Sequence, residues 1–262
     1  MAEAAPPLFD AHLHPQGLTD QDLESLRLFG VAAAVVAADH SAEPTAKGLL
    51  AHFEEVVRRQ LPRLEKQGVR AYAALGVHPR AVPRRGLSEV LQALPGWFGG
   101  RVVALGEIGL HAGSEEEEEA FVEQLQLARR LKLRVMVHTP AQNKERLTRR
   151  TINLIRESGV APGQVLIDHA GTKTVRLVVE CGHWAGLTIH PDELSAERAV
   201  ALVRKMGASR LVLDSDSGDR AGDLLGMARV ASRLARGGLS DPVVAHVTWK
   251  NAAEFFGVEA PA

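Results

Sequence analysis

Short aliphatic runs alternate with longer amphipathic stretches along the whole chain, and this alternation restricts the fold more tightly than any other feature. A short apolar run bounded by turn residues reads as a strand buried on both faces, and the amphipathic stretch after it as the crossover helix that parallel pairing requires. The predicted strands are Leu8–His12, Val31–Ala38, Arg70–Val77, Val102–Ile108, Arg134–His138, Val165–Asp168, Ala185–Ile189 and Leu211–Asp214. Predicted helices lie near Asp20–Phe29, Ala46–Gln67, Leu87–Leu94, Glu115–Leu131, Lys144–Ser158, Thr174–Glu180, Glu197–Met206 and Ala221–Ala235, with a last one at about Pro242–Phe256. Eight βα units in series imply an α/β fold with a parallel sheet closed into a single (β/α)8 TIM barrel. The 262 residues suit one such barrel, so a single domain over residues 1–262 is expected.

Turn signals bound the units at Gly68, Gly96–Gly100 and Pro162–Gly163. Hydrophobic residues make up 45% of the chain but aromatics only 4%, so the core is built from Ala, Val and Leu, as layered barrel interiors require. The helix Glu115–Leu131 carries the clearest local signature. Ser114 with Glu117 reads as a capping box, and Phe121, Leu125, Ala128 and Leu131 recur at helical spacing. Its glutamates Glu115–Glu119 sit where the helix dipole favours negative charge, with Arg129, Arg130 and Lys132 at the far end, so the acidic run reads as structural.

Thirty-one basic against 32 acidic residues give a net charge of −1, which leaves no global field to draw in nucleic acid; an anionic substrate must be held locally. The lone Cys181 cannot form an intrachain disulfide, and the start of the chain has no signal-peptide pattern, so a reducing cytoplasm is expected. No apolar run reaches the ~20 residues that cross a bilayer. Oligomeric state is not readable from the sequence.

The chemistry-bearing residues gather at strand ends. His12 and His14 close the first strand two positions apart, on one side of it, so two imidazoles can share an ion. Among 11 histidines such a pair also arises by chance on polar loops; the strand terminus favours a ligand pair. Glu107 ends the fourth strand between Gly106 and Ile108-Gly109, where an enclosed carboxylate needs a partner and a cation serves better than solvent. His138 and His169 end the fifth and sixth strands. Each alone reads as a hydrogen-bonded structural histidine, but strands one, four, five and six finishing alike point to one site at the carboxyl end of the barrel. The eighth strand runs into Asp214-Ser215-Asp216. Asp216, by preference, can ligate a metal and take a proton from its water; the spacing leaves open whether Asp214 is structural or shares the role.

Taken in order, Asp10-Ala11-His12-Leu13-His14, Gly76-Val77-His78-Pro79, Gly106-Glu107-Ile108-Gly109-Leu110, Val137-His138-Thr139, Asp168-His169 and Asp214-Ser215-Asp216 span nearly the whole chain. In these motifs it resembles the TatD-like metal-dependent hydrolases of the amidohydrolase superfamily, and most nearly their archaeal and bacterial predicted hydrolases. The resemblance implies His12, His14 and Asp216 on one ion, His138 and His169 on a second, and Glu107 between them. It also implies a TIM-barrel hydrolase with a binuclear metal centre. Three stretches depart from the TatD nucleases. His111 follows Gly-Leu where the family has Asp, Asp214-Ser215-Asp216-Ser217-Gly218 replaces Glu-Thr-Asp-Ala-Pro, and His169-Ala170-Gly171-Thr172-Lys173 replaces the family's His-Cys/Ser-Phe-Thr-Gly. The metal core is therefore better supported than the nuclease activity.

The expected function is a metal-dependent hydrolase that uses a metal-activated water, with Asp216 as proton acceptor, to cleave an ester, amide or phosphoester. The cofactor is two divalent ions drawn from zinc, manganese, iron, nickel or magnesium. His78, Lys144 and Lys173 are expected to bind substrate, though turn formation or solvated charge also explains them; His190, Arg80, Arg84 and Arg85 are weaker candidates. The partner is a small-molecule or phosphoester substrate, with nucleic acid less favoured and no membrane. The alternatives are a TatD-type DNase and a metal-binding barrel without turnover that serves as a binding partner.

Overall fold

The computed structural model describes residues 7–259, so the amino-terminal residues 1–6 that were read for a leader lie outside it. Eight strands form one sheet: β1 (Leu8–Leu13), β2 (Val31–Ala37), β3 (Arg70–Ala74), β4 (Val102–Gly109), β5 (Val135–His138), β6 (Val165–Ile167), β7 (Trp184–Thr188) and β8 (Leu211–Asp214). They lie in the order β1 to β8, each parallel to the next. The ring closes just past the ends of β1 and β8, where His14 N–H donates to the Ser217 carbonyl at 2.9 Å and Asp216 N–H to that of His12 at 3.0 Å. The TIM barrel expected from the alternation is therefore present, with helices between successive strands.

Burial on both faces explains why the strand sequences are apolar runs and not alternating patterns. In β2, Val-Ala-Ala-Ala-Val-Val-Ala, every position but Ala32 is buried. Two apolar layers result. Phe9, Ala33, Ala74, Ala104, Met136, Leu166, Trp184 and Val212, one from each strand, pack together in a cluster that only the barrel interior can bring about. Phe255 and Phe256 of the last helix join it, and Phe9 stacks on Tyr72 and Phe256 with ring centroids 6.2 and 6.1 Å away. This apolar floor lies at the start of β1, so polar groups at the strand ends sit above a dry interior. The larger second layer lies between sheet and helices.

One irregularity in β1 decides which side chains face inward. Between Asp10 and Leu13 the strand advances three residues while β2, from Ala34 to Val36, advances two. Without this bulge Leu13 would share the face of Phe9 and Ala11; instead it packs with the helix-side layer while they pack inside. His12 and His14 thereby reach the interior from a strand whose earlier inward residues have the opposite parity.

Element boundaries differ from expectation where local hydrogen bonding competes. The helix expected over Ala46–Gln67 is Ala46–Glu55 and Leu61–Lys66 joined by a π turn, Val56–Gln60. Pro62 lacks an N–H and its ring crowds the carbonyl four residues earlier, which a wider turn relieves. The helix expected from Ala221 begins at Gly226, because the Asp223 carboxylate accepts from Leu225 N–H at 3.1 Å and holds a turn there. The last helix is likewise divided, into Asp241–Ala245, the π turn His246–Lys250 and Asn251–Phe256. The capping box before Glu115 is only half formed. Ser114 accepts from Glu117 N–H, but the Glu117 carboxylate turns instead to the N–H groups of His111, Ala112 and Gly113. No helix among the described residues is long and apolar enough to cross a membrane.

Candidate metal centre

The site is assembled from the carboxyl ends of the strands. His12 lies within β1 and His14 just past it, Glu107 in β4, His138 at the end of β5, and His169 and Asp216 two residues beyond β6 and β8. His169 and Asp216 have φ of 54° and 49°, in the left-handed region that few residues other than glycine adopt. That conformation turns each side chain back over the barrel mouth. Gly218, at φ 102°, passes so close to His14 that a Cβ would lie 1.9 Å from its carbonyl oxygen. Only glycine allows the loop after Asp216 to close against the end of β1.

Six side chains converge in two groups. In the first, His12 Nε2 lies 2.9 Å from His14 Nε2 and 3.7 Å from Asp216 Oδ1, and His14 Nε2 lies 3.1 Å from the same oxygen. In the second, Glu107 Oε1 lies 3.0 Å from His138 Nδ1 and 3.1 Å from His169 Nε2. Glu107 joins them, since its other oxygen, Oε2, is 3.5 Å from His12 Nε2. Nitrogen and oxygen donors held about 2.0–2.2 Å from one cation stand roughly 3–3.5 Å from each other, and the separations here run from 2.9 to 3.7 Å. His12, His14 and Asp216 form one set able to hold an ion, and His12, Asp168, His169 and Asp214 another. A third set is His78, Glu107 and His138.

The histidines are held from behind. His12 Nδ1 meets the Asp168 carboxylate at 2.7 Å, both side chains fully buried, and the other Asp168 oxygen accepts from His169 N–H at 2.8 Å. Asp168 fits only because β7 carries glycine opposite it: a Cβ on Gly186 would sit 1.9 Å from Asp168 Oδ1. His169 Nδ1 meets Thr188 Oγ1 at 2.9 Å, and His14 Nδ1 faces Asp39 at 3.6 Å. Such partners fix ring orientation and tautomer. The Asp10 carboxylate accepts from Ser215 N–H and Oγ–H, tying β1 to the loop that carries Asp216.

Burial opposes charge throughout the cluster, and the neighbours decide the outcome. It works against ionised Glu107, yet His12 and His138 hold this carboxyl well below the ordinary range. Asp216 is likewise lowered against its burial, chiefly by His12 and His14. His12 is raised well above the usual imidazole value because Glu107 and Asp168 outweigh burial, and His169 is raised to about 9 against its burial by Asp168 and Glu107. Asp214 goes the other way, pushed well up by burial and by the neighbouring Asp168 charge. The two late aspartates are therefore shifted in opposite directions, Asp216 towards the ionised form and Asp214 towards the neutral one.

A cavity of about 110 Å³ opens onto the cluster, with His78, Arg80, His111 and Arg220 among its lining residues. His78 Nδ1 accepts from Arg80 N–H at 3.0 Å and its Nε2 lies 3.8 Å from Glu107; burial and the His138 charge hold it well below the usual imidazole range. The two lysines expected at substrate do not line this cavity but a neighbouring one of about 520 Å³ that shares Ala141 with it. Lys144 donates to the His169 carbonyl at 2.6 Å and pairs with Glu193 at 2.7 Å, while Lys173 is 78% exposed and paired with Glu145. Arg84, Arg85 and His190 do not line the cavity over the cluster either. Sequence reasoning gave no role to Asp168, Thr188, Asp39 or Arg220. Asp168 alone carried a signal, as the residue before His169 in a strand-end motif.

Residues 9–257 match the TatD related DNase family. The chain belongs to that family. Over 252 residues it is 29% identical to an uncharacterized metal-dependent hydrolase of Methanocaldococcus jannaschii, covering 95% of this chain and 99% of the relative. The Homo sapiens deoxyribonuclease TATDN3 is 30% identical over 243 residues, 83% of this chain and 80% of its own length. A crystal structure of a TatD-like protein from Archaeoglobus fulgidus superposes with a TM-score of 0.81 at 29% identity, covering 95% of this chain and all of the other. This TatD-family barrel is a metal-dependent hydrolase, and its buried His/Asp/Glu groups fit a divalent metal site.

Proposed function

We propose that the chain hydrolyses phosphoester bonds at a centre of two divalent cations, with His12, His14 and Asp216 holding one, His138 and His169 the other, and Glu107 giving one oxygen to each. The observation that carries this reading is the division of Glu107, whose Oε1 faces His138 and His169 while Oε2 faces His12. The donors fit such ions: His12 Nε2 and His14 Nε2, 2.9 Å apart in a buried pair and both beside Asp216, are spaced as two ligands of one cation would be. Imidazoles with carboxylates suit zinc, manganese, iron or nickel better than magnesium, which prefers oxygen alone. When bound, ions of this kind lower the pKa of a coordinated water towards ~7 and polarise an oxygen of the scissile group.

The chain's own groups do the rest. Asp216, ionised at neutral pH, takes the proton of the attacking water and delivers it to the leaving oxygen, as the water oxygen bonds to phosphorus and the ester P–O bond breaks. Arg80 and Arg220 line the cavity, Arg220 paired with Asp216 Oδ2 at 3.2 Å, and their charges would neutralise the non-bridging phosphoryl oxygens. His78, neutral, orients the substrate through Nε2. The net charge of −1 favours a small phosphoester over a long polyanion. DNA is the second reading, supported by the deoxyribonuclease relative.

The test is a panel containing an aryl phosphodiester, a short DNA single strand and a lactone, assayed with metal-loaded protein and with Asp216→Asn. Phosphoester turnover should fall about 10²–10⁴-fold in the variant. Lactone cleavage without phosphoester cleavage would overturn the bond assignment, and a loaded protein inert to every substrate would favour a binding barrel.

A further inference from the structure

Each of the four histidines in the cluster turns one ring nitrogen to Glu107 or Asp216 and the other to a supporting group. For His12, His14 and His169 the supports are Asp168, Asp39 and Thr188. For His138 the support is another imidazole. Its Nδ1 lies 3.0 Å from Glu107 Oε1, and its Nε2 lies 3.1 Å from His111 Nδ1. The two rings are 27° from parallel with centroids 5.4 Å apart.

A neutral imidazole carries its hydrogen on one nitrogen only, so Nδ1 can face a cation only if Nε2 keeps the hydrogen and finds an acceptor for it. His111 Nδ1 stands in that place. The loop that presents it is fixed: the Glu117 carboxylate, 8% exposed, accepts from the N–H groups of His111 at 2.8 Å, Ala112 at 3.0 Å and Gly113 at 2.8 Å. Such a ring of backbone donors around one carboxylate is a stable anion nest, which gives Glu117 a use that its place in an acidic run did not reveal.

We propose that His111 is the positioning residue of His138, accepting its Nε2–H so that Nδ1 stays bare for the second cation. This rests on the two-ion reading. Hydrogen-bond partners behind a ligating histidine are worth about 10- to 100-fold in metal affinity, and the effect should fall on one ion only.

The experiment strips the protein of metal and titrates it with Zn²⁺ against a chromophoric chelator, and with Co²⁺ followed by its visible spectrum. Wild type, His111→Phe and His111→Asn are compared, with circular dichroism to confirm folding. Phenylalanine keeps the ring but accepts nothing, whereas asparagine places Oδ1 where Nδ1 stood. Wild type should bind two ions. His111→Phe should hold one normally and the other about 10- to 100-fold more weakly, with an altered cobalt spectrum for that ion. His111→Asn should recover most of the loss. Equal affinities in wild type and His111→Phe overturn the inference, as does an asparagine variant as weak as the phenylalanine one. A third ion lost with His111 would make it a ligand and overturn it too. Fewer than two ions in wild type would instead remove the two-ion reading and, with it, this one.

Discussion

Asp168→Asn is the substitution whose cost can be worked most directly from the structure. The side chain keeps its size, so no cavity opens and Gly186 still accommodates it. What changes is the count of acceptors. Asp168 gives one oxygen to His12 Nδ1 at 2.7 Å and the other to His169 N–H at 2.8 Å. An amide has a single oxygen, so one of these two buried donors must face an NH₂ group instead. A hydrogen bond to a charged group contributes about 1.5–3 kcal/mol, and a buried donor left unsatisfied costs about 1–3 kcal/mol. At 1.4 kcal/mol per tenfold, the loss of a bond behind His12 corresponds to roughly 10- to 100-fold weaker binding of the ion that His12 holds. Competition with a chromophoric chelator reads this directly, and circular dichroism confirms that the barrel is intact. Metal affinities within about twofold of wild type would refute the reasoning, because they would mean that His12 keeps its orientation without Asp168.

Gly186→Ala should disturb the same contact from the other side: its Cβ would lie 1.9 Å from Asp168 Oδ1, and overpacking of this kind costs about 1–3 kcal/mol, read as a lower melting temperature. An unchanged melting temperature would show that Asp168 can move aside. Metal binding should strengthen as pH rises, because in the metal-free protein His169 keeps a proton up to about pH 9 that a cation must displace. The same raised value stabilises the metal-free fold below the ordinary 6.5 and loses that contribution as pH climbs through about 9, so the melting temperature of stripped protein should fall across this window. A flat profile in both measurements would contradict the charge pattern.

Much of the fold and the site could be read in advance, and for identifiable reasons. Parallel strands buried on both faces need continuous apolar runs and helices between them, so eight such runs announce a barrel. Barrel chemistry sits at the carboxyl ends of strands, so histidines and acids closing aliphatic runs mark a centre wherever their neighbours lie in sequence. Other features depend on contacts that no local pattern encodes. The opposite shifts of Asp214 and Asp216 depend on burial and the Asp168 charge around the one and on His12 and His14 around the other. The bond from Asp168 to His12 joins residues 156 positions apart. Lys173 lies on a loop in the catalytic half of its unit, yet it pairs with Glu145 and lines the neighbouring cavity instead of the one over the cluster.

The sequence by itself determined the barrel, the residue types of the candidate centre and the strands that carry them, because these follow from hydrophobic periodicity and from the donors a cation accepts. Tertiary structure alone decided the register. The bulge in β1 turns His12 and His14 inward, left-handed backbone at His169 and Asp216 folds two more candidate ligands over the mouth, and distant side chains face each imidazole's second nitrogen. Those outcomes depend on ångström-scale distances between strands, which exist only once the ring has closed.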